Sequence, residues 1–164
     1  MRTNALKTDE WALLERLLMP ANALIVRCML ETGLRVSDVV RLRSYQVQNC
    51  SFTVCECKTL KQRDVTISEE LRAAMAAQAG ALYVFEGAGG ACRHRTRQAV
   101  WADIKRASKA MRIDLNIAPH SARKTYAVEL YRRTGDINIV REALNHDNIA
   151  VTVLYLLDLF KQQR

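Results

Sequence analysis

The spacing of apolar residues changes character twice along the chain, and those changes outline its elements. In TDEWALLERLLM (8–19) apolar residues recur at helical spacing. That predicts an amphipathic helix with Thr8 as N-cap and two acids in its first turn, where the helix dipole favours them. PANALIVRCMLETG (20–33) is more uniformly apolar and predicts a buried helix, with Pro20 near its start and Gly33 just past its end. Ser37 is the expected cap of a short helix, SDVVRL. The period then falls to two: FTVCECK and RDVTIS alternate and are rich in β-branched residues, and TLKQ between them is of hairpin length. EELRAAMAAQ returns to helical spacing, LYVF reads as a short buried strand, and EGAGGA as a flexible loop. Three more helices follow: RTRQAVWADIKRASKAMR, PHSARKTYAVELYRRTG closed by Gly135, and INIVREALN capped by Asp136. In the last segment, LNHDNIAVTVLYL, a helix starting near Asn148 would carry Ile149, Thr152, Val153 and Leu156 as its apolar stripe, with Tyr155 at the rim. There is no internal repeat or linker. The expected fold is mainly α with one small antiparallel β-sheet (α+β), a single domain over residues 1–164.

At 164 residues the chain can bury about two thirds of its unfolded surface. With 49% hydrophobic and 26% charged residues, its composition is that of a soluble globular protein. No apolar run approaches the roughly 20 residues that span a bilayer. MRTNALKTDEW lacks the apolar region of a signal peptide, so a cytoplasmic location and no membrane partner are expected. The five cysteines, an odd number, are expected to be reduced. Cys55 and Cys57 share one face of a strand and, with Cys92 and His94, number four conceivable zinc ligands. No C-x-x-C pair is present, however, and small buried hydrophobes are the simpler reading. No metal or cofactor is expected. The glycines of EGAGGA are not a phosphate-binding loop, since no Gly-Lys-Ser/Thr follows.

Charge changes the picture more. Residues 1–92 hold 11 Lys/Arg against 10 Asp/Glu, whereas residues 93–164 hold 14 against 7. The positive field is concentrated in the C-terminal half, as a polyanionic partner would require, although a merely solvated basic face gives the same count.

Arg35, in TGLRVSD, lies between a helix-ending glycine and the next helix and can aim its guanidinium into a cleft; a salt bridge to Asp38 is the simpler use. His120 and Arg123 fall three apart at a helix start and project from one face. A helix N-terminus favours anions, and an imidazole with a five-donor fork makes a plausible phosphate site. Lys58 and Lys61 flank the hairpin turn, where lysines commonly protect an edge strand. His146 follows Asn145, which tolerates the left-handed conformation, and Tyr155 follows nine residues later. In order, then, the chain offers Arg35, Lys58, His120, Arg123, His146 and Tyr155. It shows no pair of carboxylate clusters for two metals, no Ser-His-Asp arrangement and no nucleotide fingerprint. Such a set suits displacement at a phosphodiester without metal: fixed guanidiniums offset the charge that develops on the non-bridging oxygens. A tyrosine, with an ordinary pKa of about 10, needs a base and a cationic site to react.

With TGLRVSD, CKTLKQRDVTI, PHSARKTYA and GDINIVREALNH followed by Tyr155, the sequence resembles the catalytic domain of the tyrosine recombinases, the phage integrase family, over about residues 8–158. The resemblance implies site-specific DNA recombination or integration. Tyr155 would attack the scissile phosphate, forming a 3′-phosphotyrosyl link and releasing a 5′-hydroxyl. Arg35 and Arg123 would bind the non-bridging oxygens. Lys58, rather than Lys61, would protonate the leaving oxygen, His120 would move a proton to or from the tyrosine, and His146 would hydrogen-bond the phosphate. It further implies double-stranded DNA as partner, a homo-tetramer on paired sites through a Holliday junction, a monomer or weak dimer without DNA, and association with the nucleoid. Arg95, Arg97, Lys105 and Lys124 are the candidate DNA contacts, more for backbone than for bases. The chain departs from the family pattern at Asn145, where glycine is common, and at Thr66, where proline is frequent. The N-terminal clamp domain of most relatives is expected to be absent, which marks either a fragment or a minimal recombinase. The nine-residue tail after Tyr155 is expected to limit helix exchange between subunits. Two other readings stay open: a DNA-binding regulator that kept the fold without strand exchange, and a type IB topoisomerase.

Overall fold

The computed structural model describes residues 3–161. Its elements run α1 (Thr8–Glu15), α2 (Pro20–Thr32), α3 (Val36–Val39), a short 3-10 helix (Ser44–Gln48), β1 (Ser51–Cys55), β2 (Gln62–Thr66), α4 (Glu69–Gln78), β3 (Glu86–Gly87), β4 (Gly90–His94), α5 (Arg97–Ala110), α6 (Pro119–Thr134), α7 (Ile137–Ala143) and α8 (Ile149–Lys161). The mainly helical fold is thus as the sequence predicts.

Helix α2 is the central rod. Ile25, Val26, Cys28 and Met29 are buried in the main core with Trp11 and Leu14 of α1, Leu71 and Met75 of α4, and Val100, Ile104 and Ala107 of α5. Fully burying each such aliphatic side chain contributes roughly 1.5–3 kcal/mol. Helix α6 packs across α2, and α8 closes over α6 and α7. Two small clusters hold that lid: Leu156 with Ala5 and Val128, and Tyr155 with Ala127, Val140 and Leu144.

Several elements differ in detail from the sequence pattern. Lys7, not Thr8, is the N-cap of α1, and Glu10 accepts from the Lys7 backbone N–H at 2.8 Å. Helix α1 stops at Glu15 rather than at Met19. Arg35, not Ser37, is the N-cap of α3, because the chain leaves the left-handed Gly33 in an extended conformation and turns into helix one residue later. The first hairpin pairs Ser51 with Thr66 through Cys55 with Gln62, so its turn spans residues 56–61 rather than 59–62. The described residues form two sheets, not one: the glycine-rich segment expected as a loop forms a second hairpin, β3–β4, with Gly90 at φ 91° near its turn. Among the side chains of α8 that are described, residues 149–157, the buried positions are Thr152, Tyr155 and Leu156, while Ile149 and Val153 are exposed. The helix is rotated so that Tyr155 faces inward instead of lying at the rim. Of the tail after Tyr155, residues 162–164 lie outside the described residues.

The cysteines are unpaired: Cys28 is buried, Cys50 and Cys57 are half-buried, and Cys55 and Cys92 are exposed. Cys55 belongs to β1 and Cys92 to β4, on separate sheets.

Candidate active site

Three chain reversals meet beneath α8. The first is the end of α2, where Gly33 adopts φ 66° and the Tyr126 ring would lie 2.4 Å from any added Cβ. Only glycine satisfies both the left-handed backbone and the close approach. The second is the start of α6, where Pro119 occupies the first turn and Ser121 accepts from the Ala118 N–H at 3.2 Å. The third is the end of α7, where Asn145 takes φ 53° before His146.

Arg123 ties these together. Its side chain is fully buried. Nη1 donates to the Gly33 carbonyl, and Nη2 donates to the Leu144 carbonyl at 2.6 Å, so one guanidinium satisfies the last carbonyls of two helices. Nη2 also lies 3.5 Å from Nε2 of His146. Burial lowers the Arg123 pKa to about 10, which leaves the group charged at neutral pH. Arg35 approaches from the α2–α3 junction with 20% of its side chain exposed, and its Nη1 donates to Oε2 of Glu56 at 2.7 Å.

The Tyr155 ring sits between two imidazoles, each edge-on. The His120 centroid is 5.0 Å away and that of His146 5.1 Å. His146 is oriented from behind by the buried Thr152 hydroxyl, 3.1 Å from Nδ1. Loss of hydration, reinforced by Arg123 and neighbouring cations, lowers both histidines to about 4. His120 keeps an exposed edge, yet enough of the ring is enclosed for the cations to act on it. For Tyr155, burial raises the phenol pKa, and the charge and hydrogen bonding of Arg123 pull it only part of the way back. At neutral pH the arrangement is therefore a protonated phenol beside two neutral imidazoles. A neutral imidazole can accept the phenolic proton, which an imidazolium cannot.

Lys58 is exposed on the turn between β1 and β2, and its charge contributes to lowering the His120 pKa. Lys61 is engaged elsewhere: its ammonium is 2.5 Å from Oδ1 of Asp147. Of the candidate surface cations, Arg97 is exposed at the start of α5 and lines a cavity of about 350 Å³ with Trp101, Pro119 and His120. Lys105 donates to Oδ1 of Asn116 at 2.7 Å and lies 5.7 Å from the Trp101 ring. Arg95 is turned back to Oδ1 of Asn22 at 2.5 Å. Lys124 is not at the surface. It is buried, donates to the Thr3 carbonyl and lies 6.0 Å from the Tyr155 ring centroid, because α6 turns this position inward.

Two neighbours of the site, Glu56 and Arg63, escaped the sequence reading, and two others, Asp38 and Thr152, have partners there that it did not foresee. Glu56 and Asp38 are buried carboxylates; Oδ1 of Asp38 accepts from the Cys57 backbone N–H at 2.8 Å and anchors the hairpin to α3. The expected pairing of Asp38 with Arg35 is replaced by Glu56 with Arg35. Arg63 donates to the Thr32 carbonyl, and Thr152 holds His146. For Glu56 a signal existed: the alternation of FTVCECK continues past β1, with Val54 and Glu56 buried and Cys55 exposed between them. Among the described residues, no group of three or more His, Cys, Asp or Glu side chains could hold a metal ion.

Comparison with known proteins bears on this geometry. Residues 12–162 match the phage integrase family. The tyrosine recombinase XerD of Lacticaseibacillus casei is 30% identical over 146 residues, which cover 80% of this chain and 48% of that protein. The chain thus spans about half the length of the curated relatives it matches. Among solved structures, the XerA recombinase superposes with a TM-score of 0.77 at 22% identity, covering 98% of this chain and 64% of that one. A lambda integrase dimer bound to a COC′ core site gives a TM-score of 0.78 at 17% identity, covering 95% and 48%. These structural likenesses bear on the fold.

Proposed function

The chain belongs to the phage integrase family, and from that premise we propose that it cleaves and rejoins double-stranded DNA through a 3′-phosphotyrosyl intermediate, as part of site-specific recombination or integration. The observation that carries the reading is the Tyr155 phenol held between two neutral imidazoles over the buried Arg123. The phosphate enters between Arg35 and Arg123, whose fixed charges offset the negative charge that develops on the non-bridging oxygens. As the Tyr155 oxygen bonds to phosphorus, its proton passes to His120, and His146 donates to a phosphate oxygen. The bond to the 5′-oxygen breaks as Lys58 supplies its proton. Reversal by a 5′-hydroxyl rejoins the strand, because the phosphotyrosyl ester keeps the energy of the broken bond. The solved relatives bound to DNA, among them the lambda integrase dimer, support a DNA partner. A tetramer on paired sites follows from the family reading, as does association with the nucleoid. Residues 1–164 then act as a single catalytic domain, with Arg35, Lys58, His120, Arg123, His146 and Tyr155 as its catalytic residues.

The test uses a pool of nicked suicide duplexes with randomised arms, labelled on the strand segment 5′ to the scissile phosphate, which stays on the protein through its 3′-phosphate. The wild-type chain is expected to form an adduct that survives denaturing gels. Tyr155→Phe is expected to bind the same duplexes with unchanged affinity and form none. Binding without an adduct from the wild type would instead favour a DNA-binding regulator. Adducts spread over unrelated sequences, with relaxation of supercoils, would favour topoisomerase-like action.

A further inference from the structure

Several ionisable side chains beside the site take no part in strand cleavage, among them Asp38, Glu56, Arg63 and Lys124. Glu56 is fully buried, and its two oxygens are treated very differently. Oε2 accepts from Nη1 of Arg35 at 2.7 Å, from Oγ1 of Thr59 at 2.9 Å and from Nδ2 of Asn145 at 3.3 Å. Oε1 lies 3.8 Å from Nη1 of Arg63 and accepts no hydrogen bond from the described residues. A buried carboxylate is costly unless well paired, and here the pairing is concentrated on one oxygen. The three donors to that oxygen come from three separate parts of the site. Arg35 stands at the α2–α3 junction, Thr59 follows Lys58 in the hairpin turn, and Asn145 immediately precedes His146.

We propose that Glu56 is a positioning residue, whose single oxygen locks Arg35, the Lys58 turn and the Asn145–His146 turn into one geometry. The inference rests on the strand-cleavage reading, to which it adds a device that makes the phosphate-binding, proton-donating and histidine arms move as one unit. Asn145 fits this role by its chemistry. A glycine would adopt φ 53° more readily, but only a side-chain amide can also reach across to the carboxylate. Asn145 and Glu56 therefore work as a pair. Electrostatics points the same way. Glu56 is a buried anion facing Arg35, Arg63 and Arg123, with Asp38 also acting on Arg63, and without Glu56 the three guanidiniums repel one another more strongly before any phosphate arrives.

The test compares the wild-type chain with Glu56→Gln and Asn145→Gly, using a duplex sequence recovered from the randomised suicide pool. Thermal melts first establish that each variant is folded. Both variants are expected to bind the duplex within about twofold of wild type while forming the adduct roughly 10- to 100-fold more slowly, the size expected when a catalytic group is misplaced by about an ångström. Without DNA, the Arg35 guanidinium resonance in a nitrogen-15 NMR spectrum is expected to shift or broaden in Glu56→Gln. A folded variant that cleaves at the wild-type rate overturns the proposal, and so does an Arg35 resonance unchanged by Glu56→Gln. If Glu56→Gln does not fold, Asn145→Gly alone decides through its cleavage rate. If the wild type forms no adduct, the cleavage reading falls, and the Arg35 resonance alone decides the role of Glu56.

Discussion

The two histidines around Tyr155 make the protein's pH response specific. Each has a folded-state pKa of about 4 against an ordinary 6.5, so the unfolded chain binds protons that the folded chain refuses. Their contribution to stability is therefore fully present above about pH 6.5 and is lost as pH falls toward 4. Glu56 and Asp103, both held below the usual carboxylate range, extend the loss below that window. For Glu56, burial alone would raise the pKa, but hydrogen bonds from Thr59 and Arg35 overcome it. For Asp103, Asn22, the Met19 N–H and Arg106 do the same. Thermal melts from pH 7 to pH 4 are expected to show a falling Tm, with a flatter upper part in His120→Asn combined with His146→Asn. DNA reverses the sign for binding. A phosphate beside the imidazoles raises their pKa, so affinity is expected to tighten as pH falls through the same window, and a titration calorimeter should record proton uptake. Arg123 has a different signature. Arg123→Lys keeps a charge but cannot span the Gly33 and Leu144 carbonyls, so a folding loss of about 1–3 kcal/mol is expected from the carbonyl left unpaired. Adduct formation should fall by about 10²-fold or more, as when one fixed donor to a developing oxyanion is removed.

At the scale of elements, the site depends on reversals rather than on helices. Gly33 shows this most sharply, because its carbonyl holds Arg123 while its Cα faces the Tyr126 ring. Gly33→Ala combines a strained left-handed residue with a clash and is expected to destabilise by about 2–4 kcal/mol. A thermal melt would register that as a Tm drop of roughly 4–16 °C, and cleavage should be lost with it. The reversals were also the most legible features. Gly33, Gly135 and Asn145 could be read as left-handed caps because few residues tolerate that conformation. The residues spaced around them, Arg35, His120, Arg123, His146 and Tyr155, lie close together in the structure. What periodicity could not supply was rotation. On α8 nearly every position is apolar, so the pattern allows several faces, and packing against α6 and α7 selects Thr152, Tyr155 and Leu156. Glu56 escaped for a related reason: a charged residue at an inward position of an alternating strand contradicts the usual meaning of the pattern, and only its three-dimensional partners resolve it. The second hairpin escaped because glycine-rich runs carry no side-chain period at all.

Over the whole molecule, the charge asymmetry of the sequence becomes a question of which cations point outward. Lys124 and Arg123 count toward the basic C-terminal half yet are buried, one on the Thr3 carbonyl and the other on two helix ends. Arg97 is exposed beside the cavity that reaches His120, with Trp101 on the same helix. Net charge alone would treat the three as equivalent, whereas salt dependence separates them. Each phosphate neutralised by an exposed cation adds about one to the slope of log affinity against log salt, since counterions are released at that contact. Arg97→Ala is therefore expected to weaken DNA binding and to lower the slope by about one, with little change in Tm. Lys124→Ala is expected to do the opposite: the slope stays at the wild-type value, and the protein melts earlier because the N-terminal segment loses its tie to α6. Fluorescence anisotropy on a labelled duplex between 50 and 200 mM salt would measure both slopes. If Lys124→Ala lowered the slope as much as Arg97→Ala, the buried placement of Lys124 would not describe the DNA-bound protein, and the phosphate path would have to run over α6 as well as α5.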